Sequence, residues 1–180
     1  MDLRVEKTRR SIINAFLQLR ARKPLEKITV KELSELAEIN KATFYLHYHD
    51  IYHLSEKLEE EVVESALNNI EHPDCIFSDT QLFTEELGKA IHSNEQMIKI
   101  IFEGSRSTRF VKIFETKIRA MITALRPDFE HSPMSDMALT FILYGSYYLY
   151  DRFRDEKDER VFDTIGRLSS AVINVISDSR

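Results

Sequence analysis

The sequence predicts an all-α protein of about nine helices. Three observations carry the prediction. Glycine and proline number four each in 180 residues and tryptophan is absent, whereas Leu, Ile, Glu, Lys and Ala, which sit well in helices, are common. Apolar residues recur at helical spacing and do not alternate. Helix-start signals, a Ser, Thr, Asn or Asp ahead of a periodic run, punctuate the chain.

Residues from about 4 to 22 form the first predicted helix, with Ile12, Ile13, Phe16, Leu17 and Arg20 along one stripe and Pro24 ending it. Thr29 caps a second, short helix, and Glu32 three residues on makes a capping box. Val30, Leu33 and Leu36 are its expected core face. "EIN" (38–40) is a turn, with Ile39 packed inward. Asn40 then caps a third short helix, "KATFYLHY" (41–48), in which Phe44 and Tyr48 share a face. That stretch is rich in β-formers; the i, i+4 apolar pair decides for helix. Asp50 caps a fourth helix reaching about residue 71, lined by Leu54, Leu58, Val62 and Ala66, with "EKLEEEVVE" as a solvated acidic face.

"HPDCIFSD" (72–79) reads as a connector. Helices follow over about 80–92 and from Ser93 to near Gly104, the second with Gln96 completing another capping box. The next spans about 107–125, with Phe110, Ile113, Phe114, Ile118, Met121 and Ile122 inward. Ser132 as N-cap and Pro133 at the first helical position open another, running to about 154. The polar link "DEKDE" (155–159) precedes the last, over 159–177, where Val161, Ile165, Leu168, Val172 and Ile176 form one stripe. The expected domains are residues 1–50, a connecting helix over 51–71, and a helical body over 72–180.

Net charge is −5, a poor match to nucleic acid if it were spread evenly. It is not. Residues 1–49 hold ten Lys/Arg against six Asp/Glu, net +4, which leaves −9 on the remainder. A basic head on an acidic body suits a chain whose head alone meets a polyanion. The single cysteine, Cys75, admits no internal disulfide and fits a reducing cytoplasm. The charged start lacks signal-peptide character. The most apolar stretch, "MALTFILYGSYYLY" (137–150), is shorter than the roughly 18–20 residues a membrane span needs. The expectation is therefore a cytoplasmic protein with no membrane partner.

Three histidines, His47, His49 and His53, fall within seven positions. As a metal site the cluster is incomplete: His49 and His53 are i, i+4, but there is no HExxH motif and no cysteine partner, and Asp50 is needed as a cap. As three solvated histidines it has no function. The third reading is nucleic acid. "TVKELSELA–EIN–KATFYLHY" has the size and spacing of a helix-turn-helix, whose second helix enters the major groove. Lys41 would reach phosphate or guanine, Thr43 a phosphate or a thymine methyl. Tyr45 offers a hydroxyl and an apolar ring, and His47 a donor to phosphate.

Here the residues resemble a known family. "TRRSIINAFLQLRARKPLEKITVKELSELAEINKATFYLHYHDIYHLSEKL" (8–58) is similar to the N-terminal domain of TetR/AcrR-type bacterial transcriptional regulators. The resemblance rests on Thr8, Arg9, Ile13, Ala15, Thr29, Val30, Leu36, Ala37, Ile39, Lys41, Thr43, Phe44, Tyr45, His47, Tyr48 and Leu54, in order and at fixed offsets. It implies DNA contacts at Thr29, Lys41, Thr43, Tyr45 and His47, with Phe44 and Tyr48 as core. The chain departs from the family pattern at Glu38, where a glycine is usual, and at His49, where a proline is frequent. It departs again at Ile51 and Tyr52, where a lysine commonly grips phosphate. His49 or His53 would then stand in for that lysine, and binding would tighten below about pH 6.5.

The resemblance further implies that the helical body from about residue 72 senses a ligand and dimerises through its last two helices. Dimer-interface candidates are Ile142, Leu149, Leu168 and Val172, with Gly145 and Ser146 allowing close approach. Ligand-pocket candidates are Phe102, Phe110, Phe114, Met121, Phe141 and Tyr144, each of which would serve equally as plain core. The function expected is a sequence-specific DNA-binding regulator, a homodimeric repressor on a palindromic operator in double-stranded DNA, released by a small-molecule effector. It would be no enzyme, with no cofactor and no resident metal. The alternatives are a helical protein-interaction module and a metal-dependent enzyme built on His47, His49 and His53.

Overall fold

A computed structural model describes residues 3–127, 132–153 and 160–177. The fold is all-α, with no strand among the described residues. The helices are α1 (Leu3–Arg20), α2 (Val30–Leu36), α3 (Lys41–His47), α4 (Ile51–Asn68), α5 (Cys75–Ser78), α6 (Thr80–Ser93), α7 (Glu95–Ile101), α8 (Ser107–Leu125), α9 (Pro133–Phe153) and α10 (Arg160–Ser177). Single 3-10 turns lie at Leu25–Lys27 and Gly104–Arg106. Nine of the ten helices among the described residues match the elements read from the sequence. The tenth, α5, is one turn inside the expected connector. No described helix is long and apolar enough to cross a membrane.

The chain divides into two compact units. The first takes residues up to Val62 together with Glu95–Thr108; the second takes Val63–Asn94 and everything from Arg109 onward. The border therefore falls inside α4, not at residues 50 and 71, and α7 joins the first unit.

In the first unit α1 buries Ile12, Ala15, Phe16, Leu19 and Arg20, so Ile13 and Leu17 stand at the edge of the stripe. Arg20 is buried because its guanidinium finds acceptors: Nη2 donates to the Glu103 carbonyl at 2.7 Å and Nη1 to the Lys23 carbonyl at 3.4 Å. Arg9 of α1 pairs with Glu61 of α4 at 2.5 Å. The apolar line of α4 is as expected, with Leu54, Leu58 and Val62 buried. Its acidic face is not wholly solvated. Glu59 is fully buried, accepting from Ser55 Oγ at 2.9 Å and from Arg106 Nε at 2.8 Å. A carboxylate enters a core only with such partners.

In the second unit α10 packs on α6 and on α9, and α5 on α6. Asp79 caps α6 by accepting the Leu82 N–H at 3.0 Å. Two glycines set how closely α6 and α10 approach. A Cβ on Gly88 would lie 2.5 Å from the Phe162 ring, and one on Gly166 would lie 3.2 Å from the Gln81 backbone. α8 turns Phe110, Val111, Phe114, Ile118 and Ile122 inward, leaving Ile113 and Met121 half-buried. Ser132 caps α9 as expected, its Oγ accepting the Ser135 N–H at 3.1 Å. On α10 Ile165 is buried but Leu168 is exposed; Ile176 lies outside the described side chains. Ser93 opens no helix. It ends α6, its Oγ donating to the Lys89 carbonyl at 2.9 Å, while Asn94 Nδ2 donates to Ala90 O. Both side chains close carbonyls that the helix end leaves free.

Candidate nucleic-acid interface

Three local devices position α3. The first is the start of α2, where Thr29 Oγ1 accepts the Glu32 N–H at 3.2 Å. The reciprocal half of the expected capping box is replaced, because the Glu32 carboxylate pairs with Lys23. The second is the turn. The N–H of Ile39 donates to Ser34 O at 3.0 Å and that of Glu38 to Glu35 O at 3.3 Å, the paired bonds of a Schellman motif. Glu38 sits at its left-handed position with φ of 55°, the lone non-glycine with positive φ among the described residues. The third is Asn40, whose Oδ1 accepts both the Thr43 N–H at 2.7 Å and the Thr43 hydroxyl at 2.9 Å.

Beneath α3, Phe44 is wholly buried and Tyr48 nearly so. Burial raises the Tyr48 pKa above its ordinary value, with Arg9 partly opposing the rise. Tyr48 thus anchors the end of α3 as a neutral ring against α1. Leu33 supports the motif from α2, but Leu36, expected inward, is 43% exposed. In so short a helix the buried line runs through Leu33, Ser34 and Ala37 instead.

The five expected DNA-contacting residues all lie on the surface of this motif. Thr29, Lys41 and Tyr45 are exposed; Thr43 and His47 are half-buried. Tyr45 is 56% exposed, with its ring edge-on to Phe44 at 5.6 Å. Thr43 commits its hydroxyl proton to Asn40, so its methyl and oxygen lone pairs are what remain for a ligand. Thr29 uses only an acceptor lone pair in capping, which leaves its proton to donate.

Sequence reasoning missed the centre of the exposed face. At 100° per residue, position 46 stands opposite the buried Phe44, with Ala42 a turn before it. Leu46 is 85% exposed. Tyr45 flanks this apolar pole on one side, Thr43 and His47 on the other. Fixing Phe44 inward was enough to find it.

Two of the histidines are organised by stacking and by a backbone hydrogen bond. The His49 and His53 rings stack with centroids 4.6 Å apart, and the His49 backbone N–H donates to His53 Nδ1 at 3.2 Å. That bond puts the His53 ring proton on Nε2. Asp50 caps α4 as expected, accepting the His53 N–H at 2.7 Å. Among the described residues the one group of three His, Cys, Asp or Glu with ligand atoms within 4.8 Å of one another is Glu71, His72 and Glu86. There Glu86 already accepts both the His72 N–H at 2.9 Å and the ring Nδ1–H at 2.7 Å. This clamp raises the His72 pKa and lowers that of Glu86.

The second unit holds a partly open cavity of about 110 Å³ between α6, α8, α9 and α10, with Ile76 of α5 at its wall. Of the six pocket candidates, Phe110 and Phe114 line it. Phe102 is buried in the first unit. Met121 is half-buried elsewhere on α8, Tyr144 lies beside Glu115, and Phe141 is 68% exposed. Of the dimer candidates, Ile142 and Ser146 line the cavity as well. Leu149 and Val172 are half-buried and Leu168 is exposed. A Cβ on Gly145 would meet nothing within 4 Å. The apolar surface of α9 runs one step round from the expected line, through Met134, Met137, Phe141 and Tyr148, with Gly145 midway.

No protein-family model matches this chain, and comparison with curated proteins yields no match.

Proposed function

We propose that this chain is a DNA-binding regulator. Its first unit reads the major groove through α3, and its second unit holds two such heads together. The observation that carries the reading is the exposed face of α3. A capped helix of seven residues, fixed from below by Phe44 and Tyr48, presents a cation, two hydroxyls, an imidazole and an apolar pole. These are the groups that base edges, thymine methyls and phosphates accept. The resemblance to TetR/AcrR regulators agrees with it and makes repression, relieved by a small molecule, the finer form of the proposal.

The homodimer is part of the same reading. Two heads read a palindrome, and the stripe of Met134, Met137, Phe141 and Tyr148 on α9, with Leu168 also exposed on α10, supplies apolar surface for a second copy. Gly145 in the middle of that stripe leaves room for a partner helix to come close. An effector that favours misspaced heads needs a coupling of roughly 1–3 kcal/mol to weaken DNA binding about 5- to 150-fold.

The test is a mobility shift on the DNA flanking the protein's own gene, at two salt concentrations, beside a scrambled duplex. Wild type shifts the specific duplex as a dimer, with affinity falling steeply in salt. Tyr45→Ala loses roughly 5- to 150-fold, the worth of one good base contact. Equal shifts on both duplexes, or an unaffected Tyr45→Ala, would sink the reading. Salt-insensitive capture of a protein would point to an interaction module instead.

A further inference from the structure

The cavity in the second unit has a definite chemistry. It is walled by rings and aliphatic chains, with Phe83, Phe110, Phe114 and Phe162 among them, and among the described residues no Lys, Arg, His, Asp or Glu lines it. Phe110 stacks on Phe114 at 5.9 Å and lies 5.8 Å from Tyr147. Polar groups at the wall are hydroxyls alone, and one is already used: Thr84 Oγ1 donates to the Thr80 carbonyl at 2.8 Å. Thr80 of α6, Ser146, Tyr147 and Tyr150 of α9 and Ser169 of α10 bring the other hydroxyls to it.

We infer that this cavity binds an uncharged, predominantly apolar molecule of about one ring or a short hydrocarbon chain, steered by a hydroxyl of α9 or α10. The inference rests on reading the second unit as the sensing body. Charge decides the class. An anion or cation entering here would shed its hydration and find no counter-ion, so carboxylates, phosphates and amines are refused. Size agrees: an apolar cavity of roughly 150 Å³ takes benzene, and this one offers about 110 Å³. Ligand pockets of this kind are mostly apolar, with few polar groups to fix orientation. Because the wall is drawn from α6, α8, α9 and α10 together, an occupant stabilises all four against separation.

The test uses the full chain and three probes of similar shape: toluene, benzoate and benzylamine. Toluene at ten times its dissociation constant raises the melting temperature by about 3–6 °C and saturates; the two ions give no saturable rise. Leu139→Trp and Leu87→Phe fill the cavity from two helices. Whichever of them melts cooperatively loses the toluene response. Charged probes that bind as well as toluene overturn the inference. So does a toluene response that survives filling, or a folded wild type with no saturable response. Failure here is separable from failure of the DNA reading. A chain that shifts its operator yet ignores toluene loses only this inference, and one that binds toluene yet shifts no duplex, even after random-sequence selection, loses only the other.

Discussion

Glu38 holds a backbone conformation better suited to glycine, and Glu38→Gly should stabilise the protein. With φ of 55°, the residue lies in the left-handed region, where an L side chain costs about 1–2 kcal/mol. Glycine removes that strain but gives up extra backbone entropy worth about 0.5–1 kcal/mol. The Glu38 side chain is exposed, so little packing is lost with it. The two bonds of the turn are donated by backbone N–H groups and survive. The net gain is about 0.5–1 kcal/mol. For a chain of 180 residues that is about 1–4 °C in melting temperature. Thermal and urea melts followed by circular dichroism measure it. Glu38→Ala is the control, since it removes the charge and keeps the Cβ. The reasoning fails if Glu38→Gly melts lower than wild type, or if Glu38→Ala gains as much, which would assign the effect to charge and not to backbone strain.

Three further outcomes are expected. Phe44→Ala empties the space beneath α3 and costs about 3–5 kcal/mol; the urea midpoint reads it, and a loss under about 1 kcal/mol would deny that Phe44 anchors the motif. Glu59→Gln leaves the half-buried Arg106 guanidinium with Glu56 at 3.8 Å as its carboxylate partner and a neutral amide in place of the buried one, and costs about 1.5–3 kcal/mol, whereas Glu59→Leu combined with Arg106→Met costs less; the two sets of melts decide. The His72–Glu86 clamp makes stability depend on pH. The raised His72 pKa adds stability below its ordinary value of 6.5, lost as pH rises through the raised one. The lowered Glu86 pKa adds stability above its ordinary value of 4.5, lost as pH falls through the depressed one. The melting-temperature gap between wild type and His72→Asn is therefore widest between pH 4.5 and 6.5 and narrows in alkali; a gap that is flat with pH contradicts the clamp.

Much of the fold was legible because its signals are local. Asn40 before Lys41, Asp50 before Ile51 and Ser132 before Pro133 each satisfy backbone groups within three residues, and each cap is found in place. The line Leu54, Leu58, Val62 and Ala66 needs only the helical period. The misreadings have partners far along the chain. Nothing near Glu59 announces burial, since its cation stands 47 residues away. Leu36 and Leu168 read as core because an apolar residue at the right period looks inward, and only the packed neighbours decide otherwise. Ser93 carries the same hydroxyl whether it opens a helix or closes one. The candidate face was legible at its edges, Lys41 and Tyr45, whose polar groups mark them, and not at its apolar pole, Leu46, since a leucine in a helical run reads as core.

The notch at Gly88 ties the shape of the cavity to a residue outside its wall. Phe162 forms part of the cavity lining on one side and on the other lies where any Cβ at Gly88 would sit. A single methyl there would displace the ring, or part α6 from α10, and so redraw the cavity with no change to any residue facing it. The cavity's shape is thus adjustable from behind: Gly88→Ala would keep the same phenylalanines around a differently shaped hole.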